Sequence, residues 1–404
     1  MRKTIKDLPN EVLEMILNFL PPYKDLENCQ LVCSRWAALV KNVRCKRNTF
    51  FQKSLQEGSL CWKMWTPDGN EKPIFRNAHS AITFKGKMYM FGGQIQFGEK
   101  RASLNDIWVF DLSTRQWTLE SEVKMCNSDI APTPKFYASM VCHEDNVVLF
   151  GGCPYTPLTL VDELHVYNLQ EKKCIRPQVS TPWPPAMFGH SATIHGDNMV
   201  IFGGFQTGKY GSVNDVWTLN LANFTWQKQK TSQEKPVPRM FHHQIRLNDE
   251  NLLILGGQEN GPFDDMPEPD MWLLTMKSPV WSWKEIPVRQ KNNCVITDLT
   301  TISPGCKIGQ KFVVLPKNLS DLAQNRNLPG MMVCDLSHVL DTDNPYAQWL
   351  EPREIRISGS LENIKDIVCA TLVAGNGELI HFGGRIHRPD GLDNSDKLHF
   401  ITSF

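Results

Sequence analysis

The chain has 404 residues, with 43 Lys plus Arg matched by 43 Asp plus Glu; it is too long for one ordinary core and lacks the net charge that draws a protein to nucleic acid or an anionic membrane. No apolar run approaches a membrane span, and the opening MRKTIKDLPNEV lacks the features of a secretory leader, so an intracellular protein, cytoplasmic or nuclear, is expected. The twelve cysteines show neither Cys-x-x-Cys pairs nor zinc-finger spacing and read as reduced, buried thiols.

The first fifty residues read as three small amphipathic helices. Pro9 suits a first helical turn, and Val12, Leu13, Ile16, Leu17 and Leu20 recur on one face until Pro21-Pro22 ends the pattern. Asp25 opens a second segment with Leu26, Cys29, Val32 and Cys33, and Ser34 a third with Trp36, Leu39, Val40 and Val43. So few residues bury too little surface to be firmly stable alone. The string Leu8-Pro9-x-Glu11-Val12-Leu13-x-x-Ile16-Leu17-x-x-Leu20, then Asp25-Leu26 and Val32-Cys33-x-x-Trp36, resembles the F-box motif. That resemblance implies binding to the Skp adaptor and, through it, to a cullin-RING ubiquitin ligase. Leu8, Pro9, Val12, Ile16, Leu20, Val32 and Trp36 would then form or brace the adaptor surface. Lys41, Arg44, Lys46, Arg47 and Lys53 follow; this cluster reads as a solvated face rather than a nucleic-acid site.

From about residue 60 the pattern changes to short strands and turns. His79, Ala138, His190 and His243 each stand 13 residues before a double glycine, at Gly92-Gly93, Gly151-Gly152, Gly203-Gly204 and Gly256-Gly257. A second interval of 11 residues links Asp106 to Trp117, Glu163 to Cys174, Asp215 to Trp226 and Asp270 to Trp281. Two residues after these acids, Trp108, His165, Trp217 and Trp272 align. Two spacings held in register four times mark a structural repeat of four strands, in which the glycines supply backbone angles other residues resist.

This repeat resembles the kelch repeat, whose units each build one propeller blade. The next glycine pair, Gly383-Gly384, lies about two periods on, with Ala370 in the inner position. One degenerate blade is therefore expected between, with strands at Phe312 to Leu315, Met331 to Leu336 and near Trp349, and Pro316 where a glycine would stand. The terminal Lys397-Leu398-His399-Phe400-Ile401 aligns with a third strand, which leaves the last blade without its outer strand. Cys61-Trp62-Lys63-Met64-Trp65-Thr66 is spare and is expected to fill that place, removing an exposed sheet edge. The expected fold is a small all-α F-box followed by an all-β six-bladed kelch propeller whose last blade is closed by an N-terminal strand. The expected divisions are an F-box over 1–48, a linker over 49–60 and a propeller over 61–404, with blades near 74–121, 133–179, 185–231, 238–287, 295–352 and 366–404 plus 61–66.

No nucleophile or phosphate-loop motif is present. Some kelch propellers resemble galactose oxidase and hold copper, but His79, His190 and His243 occupy one repeat position on separate blades, so repetition explains them; His242 is unique to its copy on this reading. No catalytic residue, metal or cofactor is expected. The segments between second and third strands gather on one face and carry Phe97, Lys100, Arg101, Tyr155, Lys209, Tyr210, Phe263, Asp264, Asp265, Arg385, His387 and Arg388 as candidate protein-binding residues. Over essentially the whole chain the sequence resembles the F-box only protein 42 type of F-box/kelch protein. That resemblance implies a non-catalytic substrate receptor of an SCF-type ubiquitin ligase. A kelch scaffold of the cytoskeletal kind is the alternative, and a metal-dependent kelch oxidase a third.

Overall fold

The computed structural model describes residues 4–66, 71–98, 100–120, 131–155, 160–179, 181–206, 208, 211–259, 270–290, 303–315, 320–321, 326–327, 330–350, 353–354, 356–357, 367–388 and 391–403. Three helices open the chain: α1 (Asn10–Leu17), α2 (Lys24–Gln30) and α3 (Ser34–Glu57). Pro9 caps α1, its carbonyl accepting from Leu13 N at 3.1 Å. Leu13, Leu17, Leu26, Leu39, Val40 and Val43 close the small core between them. The Arg35 guanidinium ties down the entry, donating to Lys6 O at 2.8 Å and Leu8 O at 2.5 Å. The basic cluster is a solvated, paired face: Lys46 meets Glu14, Arg44 lies 3.6 Å from Glu27, and Arg47 donates to the carbonyls of Asn18 and Leu20.

Residues 49–60 are not a loose connection. α3 runs unbroken to Glu57, ends on Gly58 in the left-handed region (φ 71°), and after Ser59 the chain enters a strand. Phe51 and Leu55, four apart and so on one helix face, leave the helical core and join a propeller core instead.

Among the described residues six blade sheets follow, each built on four principal antiparallel strands, with small hairpin sheets beside them. Blade one comprises Ser80–Phe84, Lys87–Phe91, Ile107–Asp111 and Gln116–Leu119. The inner strands of blades two to six are Ser139–His143, Ser191–His195, His243–Arg246, Gly305–Ile308 and Thr371–Ala374. Each inner strand contacts those of both neighbours, and the sixth contacts the first, so the ring is closed. Second strands are largely apolar after their first residue because both their faces are buried. Met88 and Met90 enter the core between blades six and one, whereas Tyr89 and Phe91 enter that between one and two.

The spare strand Leu60–Trp65 pairs antiparallel with Leu398–Ser403 and completes blade six, with Trp62 opposite Ile401 and Trp65 opposite Leu398. A short parallel strand, Arg356–Ile357, lies outside it. The degenerate fifth blade has strands Lys311–Val314, Gly330–Asp335 and Ala347–Trp349, within a residue of expectation; Pro316 lies outside the described residues. Val288–Gln290 adds a parallel outer strand to it.

Two expected equivalences shift in blade four. The turn between its first two strands spans one residue more than the tight turns elsewhere, with Leu247 N bonded to Asn251 O. His242, not His243, is therefore the counterpart of His79 and His190, since Ser191 pairs with Phe202 as His243 pairs with Leu255. Trp283 rather than Trp281 occupies the buried outer-strand position, opposite Leu274.

These histidines latch the blades. His79 Nε2 lies 2.9 Å from Thr371 Oγ1 of blade six, His190 Nε2 2.8 Å from Ser139 Oγ of blade two, and His242 Nε2 2.5 Å from Ser191 Oγ of blade three. Each ring also rests on the preceding blade's double glycine. At Gly203 (φ 66°) a Cβ would meet His242 Cε1 at 2.8 Å and Arg239 O at 2.5 Å, so only glycine fits.

Replacing Trp62 and Trp65 together by alanine removes the contacts that seat the closing strand and is expected to destabilise the propeller by at least about 3 kcal/mol, read as a lowered melting temperature. Acid has a related effect. Burial, with a repulsive contribution from Arg76 at His79 and Lys135 at His190, holds both rings at about 3, below the ordinary 6.5. Between these values the unfolded chain takes up protons that the folded one refuses. Stability is therefore complete above pH 6.5 and falls as pH drops, by about 1 kcal/mol per buried histidine between pH 6.5 and 5.5. His190→Ala, which copies the natural Ala138 of blade two, is expected to flatten the melting temperature's dependence on pH in that window.

Candidate functional site

The acids of the repeat are scaffold rather than ligands. Arg76 is fully buried and grips Asp106 with two bonds, at 2.7 and 2.9 Å, while donating a third to Gly92 O at 3.0 Å. Trp108 Nε1 donates to the same carboxylate at 2.8 Å, which explains why an indole stands two residues after the acid. Arg239, Asp270 and Trp272 repeat the arrangement in blade four, and Lys135 with Glu163 in blade two. Burial alone would raise the Asp106 pKa, but the bonds and charge of Arg76 outweigh it and hold this carboxyl below its ordinary range. In blade three Met187 stands where the cation would be, and Asp215 turns to Lys228 at 2.8 Å instead. Sequence reasoning missed these cations, although Arg76, Lys135 and Arg239 each stand three residues before the inner-strand position of their blade.

A ring of backbone bonds surrounds the axis. Tyr137 N donates to Ala78 O at 3.0 Å, Phe241 N to Gly189 O at 2.8 Å and Ala78 N to Cys369 O at 2.8 Å. Ala78, Tyr137, Gly189, Phe241 and Cys369 all adopt positive φ, which bends the chain from one blade's approach into the inner strand. Within this ring lies a cavity of about 240 Å³ whose lining includes His79, Ser80, Pro304 and Thr371. Its mouth carries aromatic side chains: Tyr137 meets Phe241 edge-on at 4.7 Å and stacks on Phe188 at 6.2 Å, and Phe188 reaches Phe205 at 5.4 Å. Tyr137 Oη also lies 3.1 Å from Cys369 Sγ, linking blades two and six across the mouth. Burial and the neighbouring Cys369 push this phenol well above its ordinary value, so it stays neutral. The histidines are neutral for the same reason, and among the described residues no three His, Cys, Asp or Glu side chains converge as metal ligands. Apolar contact and hydrogen bonding are what this mouth offers.

The segments between second and third strands rise around it, several as hairpins. Gln94–Phe97 pairs with Lys100–Ser103, and Arg385–Arg388 with Gly391–Asn394. Phe97 is 60% exposed at its hairpin tip and packs on Phe75 at 4.7 Å, with Lys100 and Arg101 exposed beside it. Tyr155 is half-buried against this hairpin, its N–H donating to Ser103 Oγ at 2.8 Å. Arg385 is half-buried next to the channel mouth; His387 and Arg388 lie on the same strand. Lys209, Tyr210, Phe263, Asp264 and Asp265 lie outside the described residues. The structure thus gathers Phe97, Lys100, Arg101 and Tyr155 over blades one and two. Tyr137, Phe188 and Phe241 were missed; the signal was an aromatic recurring just before the inner-strand position.

A second surface lies on the helices. Of the expected residues, Pro9, Ile16 and Val32 are exposed and Val12 is half-buried, whereas the half-buried Leu8, Leu20 and Trp36 pack against the helical core. Phe19 at 84% exposed, Leu31 at 79% and the exposed Met15 add apolar surface beyond the residues expected.

Residues 5–52 match the F-box-like family model, and residues 76–281, just over half of the chain, match the model described as FBX42, beta-propeller domain. Human kelch domain-containing protein 3 is 29% identical over 46% of this chain and 50% of its own length. The Rho GTPase-activating protein gacHH of Dictyostelium discoideum is 30% identical over 36% of this chain and 10% of its own. The chain therefore spans half or less of these relatives. The solved structure of YjhT, at 10% identity and a TM-score of 0.50, covers 81% of this chain and 95% of its own, which supports the ring fold alone. Helical module, glycine-paired blades and closing strand lead to one assignment: the chain belongs to the FBX42 β-propeller family, with the F-box and propeller architecture of an F-box substrate-receptor-type protein.

Proposed function

We propose that this protein is the substrate-recognition subunit of an SCF-type ubiquitin ligase. Its helices bind the Skp adaptor and, through it, a cullin-RING ligase, while the hairpin face of the propeller holds a protein substrate. The observation that carries this reading is the set of Met15, Ile16, Phe19, Leu31 and Val32, left in solvent on a module whose own core is closed by Leu13, Leu17, Leu26, Leu39, Val40 and Val43. A helical cap serving only the ring would bury that surface against it. The propeller contributes capture, and bond-making belongs to partner subunits; the gain comes from raising the effective concentration of a substrate lysine near a charged ubiquitin carrier.

Phe19→Asp with Val32→Asp places charges on this surface without touching either core. Co-purification with the Skp adaptor and a cullin is expected for the wild type and to be lost in this variant at unchanged melting temperature; a wild type that retains neither partner supports the scaffold reading instead. Proximity labelling under proteasome inhibition tests the propeller. Phe97→Ala with Arg101→Ala and Arg385→Ala is expected to lose substrate proteins while keeping adaptor and cullin, and an unchanged set of neighbours would place capture elsewhere.

A further inference from the structure

The helical module is seated on the face opposite the hairpins, and its seat has two anchors that straddle blade six. The first is Tyr23, which lies in the core between blades six and one with Met88, Phe110 and Phe400. Its hydroxyl donates to Glu378 and accepts from Asn376 N at 3.2 Å; Asn376 Nδ2 donates to Pro22 O at 2.9 Å, and Lys24 N to Ser113 Oγ at 3.0 Å. Arg115 holds Glu378 from the other side at 3.0 Å and lies 3.9 Å over the ring of Phe400. The second anchor is the far half of α3, whose Phe51 and Leu55 lie in the core between blades five and six with Val313, Val333, Leu372 and Leu379. α3 is one continuous helix whose near half belongs to the helical core, so no hinge separates the two units. Two buried anchors on either side of one blade remove the rotations that a single contact would leave.

From this geometry we infer that Tyr23, Phe51 and Leu55 are positioning residues: they hold adaptor-facing surface and substrate face at one orientation, and that orientation selects which lysines receive ubiquitin. The selection rests on the ligase reading above; the rigid seat does not. None of the three belongs to the adaptor-facing surface, so their loss leaves adaptor binding in place.

Two measurements test the inference separately. In a reconstituted complex with adaptor, cullin-RING and charged ubiquitin carrier, the receptor's own self-modified lysines are mapped by mass spectrometry for the wild type, Tyr23→Phe and Tyr23→Ala. Wild-type modification is expected to concentrate on a few lysines. In Tyr23→Ala, with the adaptor still bound, these sites are expected to fall at least about fivefold relative to their neighbours as effective concentrations even out, with Tyr23→Phe between. A lysine pattern unchanged by Tyr23→Ala overturns the inference. If no lysine is modified in any sample, the ligase reading fails, and the seat is decided by distance measurement. Nitroxides on Cys45 and on Lys173→Cys, in a background with Cys29, Cys33, Cys126, Cys142 and Cys294 replaced by Ser, are expected to give one narrow distance that broadens in Tyr23→Ala and in Phe51→Ala. A broad wild-type distribution, or one that neither substitution broadens, overturns the rigid seat.

Discussion

The pairing of Leu60–Trp65 with Leu398–Ser403 is the contact on which everything else depends. It joins segments from opposite ends of the repeat array, and without it blade six would present an unpaired sheet edge while the ring stood open beside blade five. The same six residues carry Trp62 into the core between blades five and six and Trp65 into that between six and one. Because only Gly58 and Ser59 separate it from α3, the strand that closes the ring also determines where the helices arrive.

Once the ring is closed, its blades are held by interactions that repeat with the fold. Second strands serve two cores at once, glycine pairs admit the neighbouring histidine, and a backbone circuit surrounds the axis. Arg76, Lys135 and Arg239 are buried in this scaffold. Burying a charge is costly unless its donors are satisfied, and Arg76 and Arg239 each meet a carboxylate with two bonds and a glycine carbonyl with a third. The acid-x-aromatic signature thus serves cohesion between strands. What differs from blade to blade lies outside this framework: the hairpins and the aromatic mouth of the channel.

Much of this was legible in the sequence because its signals are periodic. The glycine pairs gave the blades, and the surplus strand at Leu60–Trp65 was deducible from a repeat that stopped one strand short. Errors fell where a local length change breaks register without breaking structure. One extra turn residue moved the latch from His243 to His242, and a longer turn to the outer strand moved the buried indole from Trp281 to Trp283. The reach of α3 was hidden because Phe51 and Leu55 continue a helical stripe whose partner changes midway from helix to sheet. The exposed apolar surface was underestimated for a related reason: in helices of seven or eight residues nearly every apolar side chain fits some periodic face, and only packing decides that Leu17 is buried and Phe19 is not.

A ribosome makes Leu60–Trp65 well before Leu398–Ser403. At about 5–20 residues per second, the nascent chain carries an unmatched, tryptophan-bearing strand for roughly 15–70 s before its mate emerges. The helices fold during that wait with no platform beneath Tyr23, Phe51 or Leu55. Joining the ends of the array thus closes the ring in the finished protein and leaves the growing one with an apolar strand edge that nothing of its own yet covers.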